Sequence, residues 1–220
     1  MRPDHTHVTV ILDRTGSMEA IRDDTIGGFN AFLRAQRNEP GQATLTLVQF
    51  DTQDPYEIVH RFKPLADVPE LTRETFVPRA STPLLDAMGR GINDLEKSLH
   101  ELPDSERPSR VVMVIVTDGQ ENSSREFRKN QISKMIEEKR DRAGWQFVFL
   151  SADLNAIDDA VSLGVRPAAV LLFEASHAGT TSAWESASRR IAEYRGGRSS
   201  EMAFTDEDRK AQPSSRRDKT

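Results

Sequence analysis

An apolar, largely β-branched run that stops on an acid and turns at once into a polar, glycine-containing loop constrains this chain most. Val8-Thr9-Val10-Ile11-Leu12 ends on Asp13, and Arg14-Thr15-Gly16-Ser17-Met18 then leads into a helical pattern. Such a run is what a buried strand of an α/β sheet presents. Ligands of open α/β sheets collect in the crevice beyond the carboxyl ends of the strands. Asp13, Thr15 and Ser17 are alternate residues, so one turn can aim three oxygen-bearing side chains at one point. Carboxylate and hydroxyl oxygens are what a hard cation such as Mg²⁺ accepts.

The rest of the chain supplies strands and helices around that run. Glu19 to Arg37 reads as a helix, with Gly27-Gly28 permitting close packing on the sheet or marking a kink. Ala43 to Phe50 and Tyr56 to Phe62 are strands whose short connection makes them antiparallel. Lys63 to Ser81 is a proline-rich loop with at most one helical turn. Thr82 then precedes a helix over Pro83 to Leu99, with Pro83 in the favoured first helical position and Leu85, Met88, Ile92, Leu95 and Leu99 facing the core. Val111 to Val116 has the continuous apolar character of a central parallel strand and ends on Thr117-Asp118-Gly119. Ser123 or Ser124 is expected to cap a charged helix running to Arg142. Strands at Trp145 to Leu150 and Ala168 to Phe173 and helices at Ala156 to Leu163 and Gly179 to Tyr194 complete the pattern, Trp184 being read as core. Alternating strands and helices with one early hairpin give a doubly wound, mostly parallel α/β sheet with helices on both faces.

Composition excludes several kinds of chemistry. There is no cysteine, so disulfides, zinc–thiolate sites, iron–sulfur clusters and thiol catalysis are ruled out. With 30 basic and 35 acidic residues the balance offers no general attraction to nucleic acid or to an anionic membrane. No run reaches the roughly 20 apolar residues of a spanning helix, and the first residues lack a signal core, so the expected location is the cytoplasm. The expected boundaries are an N-terminal extension over 1–7, the folded domain over 8–195, and a disordered mixed-charge tail over 196–220.

Three loops agree on one pattern. Asp13-x-Thr15-x-Ser17, then Ser81-Thr82-Pro83-Leu84 before a helix, then Thr117-Asp118-Gly119 after an apolar strand together resemble the von Willebrand factor type A domain. In that family these segments form the metal-ion-dependent adhesion site (MIDAS). The resemblance implies a six-stranded sheet of order 3-2-1-4-5-6 with one antiparallel edge strand. It makes Asp13, Thr15 and Ser17 the first-loop ligands, Thr82 the second-loop ligand and Asp118 the third-loop acid. Thr15 departs from the commoner serine, keeping the hydroxyl and adding a methyl group. The implied cofactor is Mg²⁺, with Mn²⁺ or Ca²⁺ as substitutes. The implied activity is binding: a partner protein's Asp or Glu completes the coordination, with Asp118 or Thr82 acting directly or through water depending on state. Neither a nucleophile nor a general base is evident, so an enzyme is not expected.

A rival from another class is a Mg²⁺-dependent phosphotransferase of the haloacid dehalogenase type, with Asp13 as nucleophile. Such enzymes commonly carry a second Asp two residues on, where this chain has Thr15, and a lysine from a later loop, which Asp118-Gly119-Gln120-Glu121-Asn122 does not offer. Neither a P-loop nor a G-x-S-x-G nucleophile elbow is present. His5 and His7 share a strand face but read as solvated, and Asp153, Asp158 and Asp159 read as helix-capping or solvated acids.

Overall fold

The computed structural model describes residues 2–153 and 155–212. Six strands form one sheet: β1 (Arg2–Asp13), β2 (Gln42–Phe50), β3 (Glu57–Pro64), β4 (Pro108–Thr117), β5 (Gln146–Ser151) and β6 (Val170–Leu172). Their order is β3-β2-β1-β4-β5-β6. β3 runs antiparallel to β2, and every other pairing is parallel. The helices are α1 (Arg22–Arg37), α2 (Leu84–Glu101), α3 (Lys129–Ala143), α4 (Ala156–Ser162), α5 (His177–Arg195) and α6 (Asp206–Lys210).

Two apolar layers sandwich the sheet, which is why its central strands are apolar without interruption. Val8, Val10 and Leu12 of β1 face a layer containing Phe29, Phe32 and Leu33 of α1 and Trp184 and Ile191 of α5. Ile11 faces the opposite layer, with Met88 and Ile92 of α2, Ile132 and Ile136 of α3, and Ala160 of α4. Gly28 serves a different contact from the one its position suggested. A Cβ there would fall 2.2 Å from Cδ1 of Trp184, so the glycine lets α1 approach α5 rather than the sheet. α1 runs through both glycines to Arg37 without a break.

Several boundaries move. The helix expected from Glu19 begins as a 3₁₀ turn over Gly16–Ile21 and becomes α-helical only at Arg22. Pro83 occupies the N-cap position of α2 rather than its first turn. α3 starts at Lys129, after Arg128, and neither Ser123 nor Ser124 caps it. Both serines are drawn to Glu121 instead: its carboxylate accepts from the backbone N–H of each and from the Ser124 hydroxyl.

Both ends of the chain correct the expected boundaries. β1 begins at Arg2, so residues 2–7 are strand rather than extension, with His5 opposite Gln42 and His7 opposite Thr44. His5 and His7 are therefore buried, not solvated. His7 Nδ1 lies 2.9 Å from the Thr44 hydroxyl, and its ring stacks on Phe62 at 3.8 Å. Burial, helped by neighbouring His5, lowers the His7 pKa to about 3. Residues 196–212 also pack on the domain. Met202 and Phe204 are buried, and the Phe204 N–H donates to the Ala168 carbonyl at 2.7 Å. Asp208 is fully buried between Arg189 and Arg190. Burial works against its ionisation, but the Arg190 hydrogen bond, the Thr205 N–H and Arg189 outweigh it and hold the carboxyl at about 2. The disordered-tail reading thus fails for 196–212, and 213–220 lie outside the described residues.

Candidate metal-binding site at the carboxyl edge of the sheet

β1 and β4 are parallel neighbours with Leu12 opposite Val116, so their carboxyl ends emerge side by side. That register brings Asp13 against Thr117 and the start of the Asp118 loop. Asp13 is fully buried. One of its carboxylate oxygens accepts the Thr15 N–H at 2.7 Å, and the other accepts the Thr117 hydroxyl at 2.6 Å. The Ser17 hydroxyl donates to Asp118 Oδ1 at 2.7 Å and lies 3.3 Å from the Thr15 hydroxyl. Thr82 enters from the second loop, just ahead of α2. A Cβ added at Gly119 would sit 3.8 Å from both Ser17 Oγ and Thr82 Oγ1, so the bare backbone there leaves room between the two hydroxyls. All five residues singled out in the sequence, Asp13, Thr15, Ser17, Thr82 and Asp118, converge on this edge.

The second loop is tied to its neighbours chiefly by main chain. Arg79 donates its N–H to the Arg14 carbonyl at 2.9 Å, and Gly16 donates to the Ala80 carbonyl at 3.1 Å. Ala80 is held at φ +59°, a left-handed conformation that costs a residue with a Cβ. Such strain persists only where the surrounding bonds over-determine it.

Among the described residues no basic side chain is paired with either Asp13 or Asp118. Burial raises the Asp13 pKa to about 6: the hydrogen bonds from Thr117 and Thr15 pull it down, but not enough, and Asp118 adds to the rise. Burial also raises Asp118, against the pull of the Ser17 hydroxyl. Two carboxylates held partly desolvated and without a counter-charge form a site that a cation stabilises. Among the described residues no group of three His, Cys, Asp or Glu side chains is placed to hold a metal ion.

No protein-family model matches the chain, and no curated protein matches its sequence. Solved structures do match its fold. The chain superposes on proximal thread matrix protein 1 from the mussel byssus, in a form with a zinc-occupied MIDAS motif. The TM-score is 0.59 at 14% identity, over 86% of this chain and 46% of that one. A von Willebrand factor type A protein from Catenulispora acidiphila matches with a TM-score of 0.58 at 12% identity, covering 86% of this chain and 43% of that one. This chain has the von Willebrand factor type A fold. The manganese-loaded TRAP protein of Plasmodium vivax shares it, with a TM-score of 0.55 at 16% identity over 78% of this chain and 69% of that one. The chain spans a little under half the length of the mussel protein, so the likeness is one of fold.

Within this von Willebrand type A fold, the donor set fits a hard divalent cation. Carboxylate oxygens of Asp13 and Asp118 and hydroxyls of Thr15, Ser17 and Thr82 are oxygen donors throughout, with no soft ligand among them. Asp153, Asp158 and Asp159 make no comparable cluster. Asp159 is paired with Lys129 at 2.8 Å, Asp153 accepts the Asn155 N–H at 2.7 Å, and Asp158 lies exposed in the first turn of α4.

Sequence reasoning missed the residues that hold the site. In sequence Thr117 is only the residue before Asp118, yet its hydroxyl fixes Asp13. Asp51 lies in the short connection between the strands at Ala43 to Phe50 and Tyr56 to Phe62. It is fully buried, with Arg14 Nη2 at 2.8 Å and Arg79 Nε at 2.9 Å. An acid directly after a buried strand, three residues before Asp54, is the available signal, but Arg14 and Arg79 as its partners are visible only in three dimensions. Among the described residues no helix is long and apolar enough to cross a membrane.

Proposed function

We propose that the chain is a metal-dependent protein-binding module in which Asp13, Thr15, Ser17, Thr82 and Asp118 hold Mg²⁺ and an acidic residue of a partner protein docks on it. The observation that carries this reading is Asp13: a fully buried carboxylate, raised to about 6, with which no basic side chain among the described residues is paired. Bound Mg²⁺ would supply the missing positive charge and, with only two carboxylates and neutral hydroxyls around it, keep an open position for an external carboxylate. Asp13 anchors the site because Thr15 N–H and the Thr117 hydroxyl fix both of its oxygens. Ser17 and Asp118 are already hydrogen-bonded to each other and so meet the cation together. The named metals of two proteins with this fold, zinc in the mussel protein and manganese in the Plasmodium protein, support a divalent cation as a class. The choice of Mg²⁺ rests on the all-oxygen donors.

The acting unit takes in both ends of the described chain, since residues 2–7 complete β1 and Met202 and Phe204 join the apolar layer of α1 and α5. A cytoplasmic location belongs to the same proposal, and cell fractionation tests it. The phosphotransferase alternative is less well supported. Thr15 stands where such an enzyme carries its second Asp, and the third loop, Asp118-Gly119-Gln120-Glu121-Asn122, offers no lysine. The test is retention of partner proteins by the immobilised chain. Proteins held in Mg²⁺ should be released by EDTA and should not be retained by Asp13→Ala. Retention that ignores both treatments would place the interaction on another surface.

A further inference from the structure

Thr82 stands between two sets of contacts of different character. On its N-terminal side, residues 79–81 are tied to the first loop and to the β2–β3 turn. Besides the bonds of Arg79 and Ala80, the Thr52 N–H donates to the Ser81 carbonyl at 3.1 Å and the Ser81 N–H donates to the Thr52 hydroxyl at 3.2 Å. On the other side Thr82 itself is gripped by a single residue of the third loop. The Thr82 N–H donates to Asn122 Oδ1 at 3.0 Å, and the Asn122 N–H donates to the Thr82 carbonyl at 3.1 Å.

Asn122 is in turn part of a stiff segment. Its neighbour Glu121 spends one carboxylate oxygen on the Ser123 and Ser124 N–H groups, and the other on the Leu85 N–H at the start of α2 and on the Ser124 hydroxyl. Asp86 of α2 reaches back and accepts the N–H groups of Arg125, Glu126 and Phe127 at 2.8–2.9 Å. Third loop and first turn of α2 therefore form one hydrogen-bonded body. Through Asn122, Thr82 is fixed to the body that carries Asp118 rather than to the loop that carries Asp13.

We propose that Asn122 is a positioning residue for Thr82: by holding both main-chain polar groups of Thr82, it sets the placement of the hydroxyl and with it the site's affinity for an incoming carboxylate. This rests on the binding function proposed above. Asn122 makes no demand on the metal, because its side-chain oxygen is spent on the Thr82 N–H and the Ser123 hydroxyl. Its side chain is exposed, so truncation opens no cavity. Losing it should leave cation affinity close to that of the wild type and weaken carboxylate docking.

Amide hydrogen exchange at Thr82 and ligand binding together provide the test, with the full chain as wild type, Asn122→Ala and Asn122→Asp. In the metal-free protein, Asn122→Ala should speed exchange at the Thr82 amide about tenfold, the loss of one hydrogen bond, and leave the Thr15 amide unchanged. Asn122→Asp keeps the acceptor oxygen and should restore slow exchange. In protein loaded with Mn²⁺, water-proton relaxation measures the metal affinity and the affinity of a capped Gly-Asp-Gly peptide. Asn122→Ala should hold Mn²⁺ within about threefold while losing about tenfold in peptide affinity, and Asn122→Asp should recover the peptide. Unchanged Thr82 exchange in Asn122→Ala would overturn the positioning role. Equal losses of Mn²⁺ and peptide would overturn it too, by showing general loosening of the site. A wild type that binds no Mn²⁺ would overturn the binding function and the docking half of this proposal, while Thr82 exchange would still decide whether Asn122 holds Thr82.

Discussion

Two fully buried aspartates end neighbouring parallel strands of this sheet, and their surroundings are opposite. Asp13 closes β1 opposite Phe50, and Asp51 follows Phe50 directly on β2. Burial works against ionisation at both. At Asp51 the hydrogen bond from Arg79, the N–H groups of Asp54 and Gln53, and the Arg14 guanidinium outweigh that penalty, and its pKa falls below the usual carboxylate value. At Asp13 only neutral donors are present, and the pKa rises to about 6. The fold thus buries a structural carboxylate one strand away from another that no described basic side chain neutralises. Arg14 sharpens the contrast. It is the residue next to Asp13, yet its guanidinium turns away to Asp51, Gln49 and Glu57. A basic side chain within reach is used to fix the loop, and the positive charge for Asp13 is left to come from outside the chain.

The largest test of that contrast is to remove Asp51. Asp51→Ala removes the fully buried partner of Arg14, leaves it only the part-exposed Glu57 as a counter-charge, and should cost about 3 kcal/mol in urea unfolding, with or without metal. A loss below about 1 kcal/mol would mean that Asp51 is not the structural partner its contacts indicate. Next in size is the effect of metal on the wild type. Mg²⁺ at one hundred times its dissociation constant should add about 2.7 kcal/mol to stability, and Asp13→Asn should show no such gain.

A smaller effect comes from pH. The folded Asp13 carboxyl titrates near 6 and the unfolded one near its ordinary value of 3.8, so the folded chain binds the extra proton between those values. In EDTA, Asp13 therefore costs the wild type stability as pH rises from about 4 to about 6, on the order of 2 kcal/mol relative to Asp13→Asn. Saturating Mg²⁺ should reverse the slope, since the ionised form then gains a partner. His7 titrates with the opposite sign. Its lowered pKa of about 3 means stability is lost as pH falls below about 6.5, but this occurs in both proteins and cancels in the difference. Smallest is Thr82→Ala. It removes one neutral oxygen that water can replace, so Mg²⁺ affinity should fall only about three- to fivefold in a calorimetric titration. A drop of a hundredfold would make Thr82 a principal ligand.

The sheet and the convergence of the five candidate residues were legible because both depend on where apolar runs stop. Val8 to Leu12 and Val111 to Val116 end on polar residues, and parallel neighbours must present those ends together. What was not legible depends on partners distant in sequence. Ser123 and Ser124 look like helix caps, but Glu121 is close enough to take both N–H groups, and the helix waits until Lys129. The segment after Arg195 has few apolar residues, and its order comes from two of them, Met202 and Phe204, and from Asp208 seated between Arg189 and Arg190. His5 and His7 read as terminal and polar because nothing before Val8 signals a strand. Pairing with β2 and stacking on Phe62 bury them. Asp51 is the clearest case: as a sequence feature it resembles any turn acid, and only Arg14 and Arg79 make it structural.

The most direct measurement is calorimetric titration of Mg²⁺ into the metal-free chain at pH 6, in two buffers of different ionisation enthalpy, for wild type and Asp13→Asn. If Asp13 is the buried carboxylate that awaits a cation, the wild type should bind one Mg²⁺ and release about half a proton, because a ligand that titrates near 6 is half protonated at that pH. Asp13→Asn should show no measurable Mg²⁺ binding. Undiminished Mg²⁺ affinity in Asp13→Asn, or no binding by the wild type, would contradict the assignment of this edge of the sheet as a cation site.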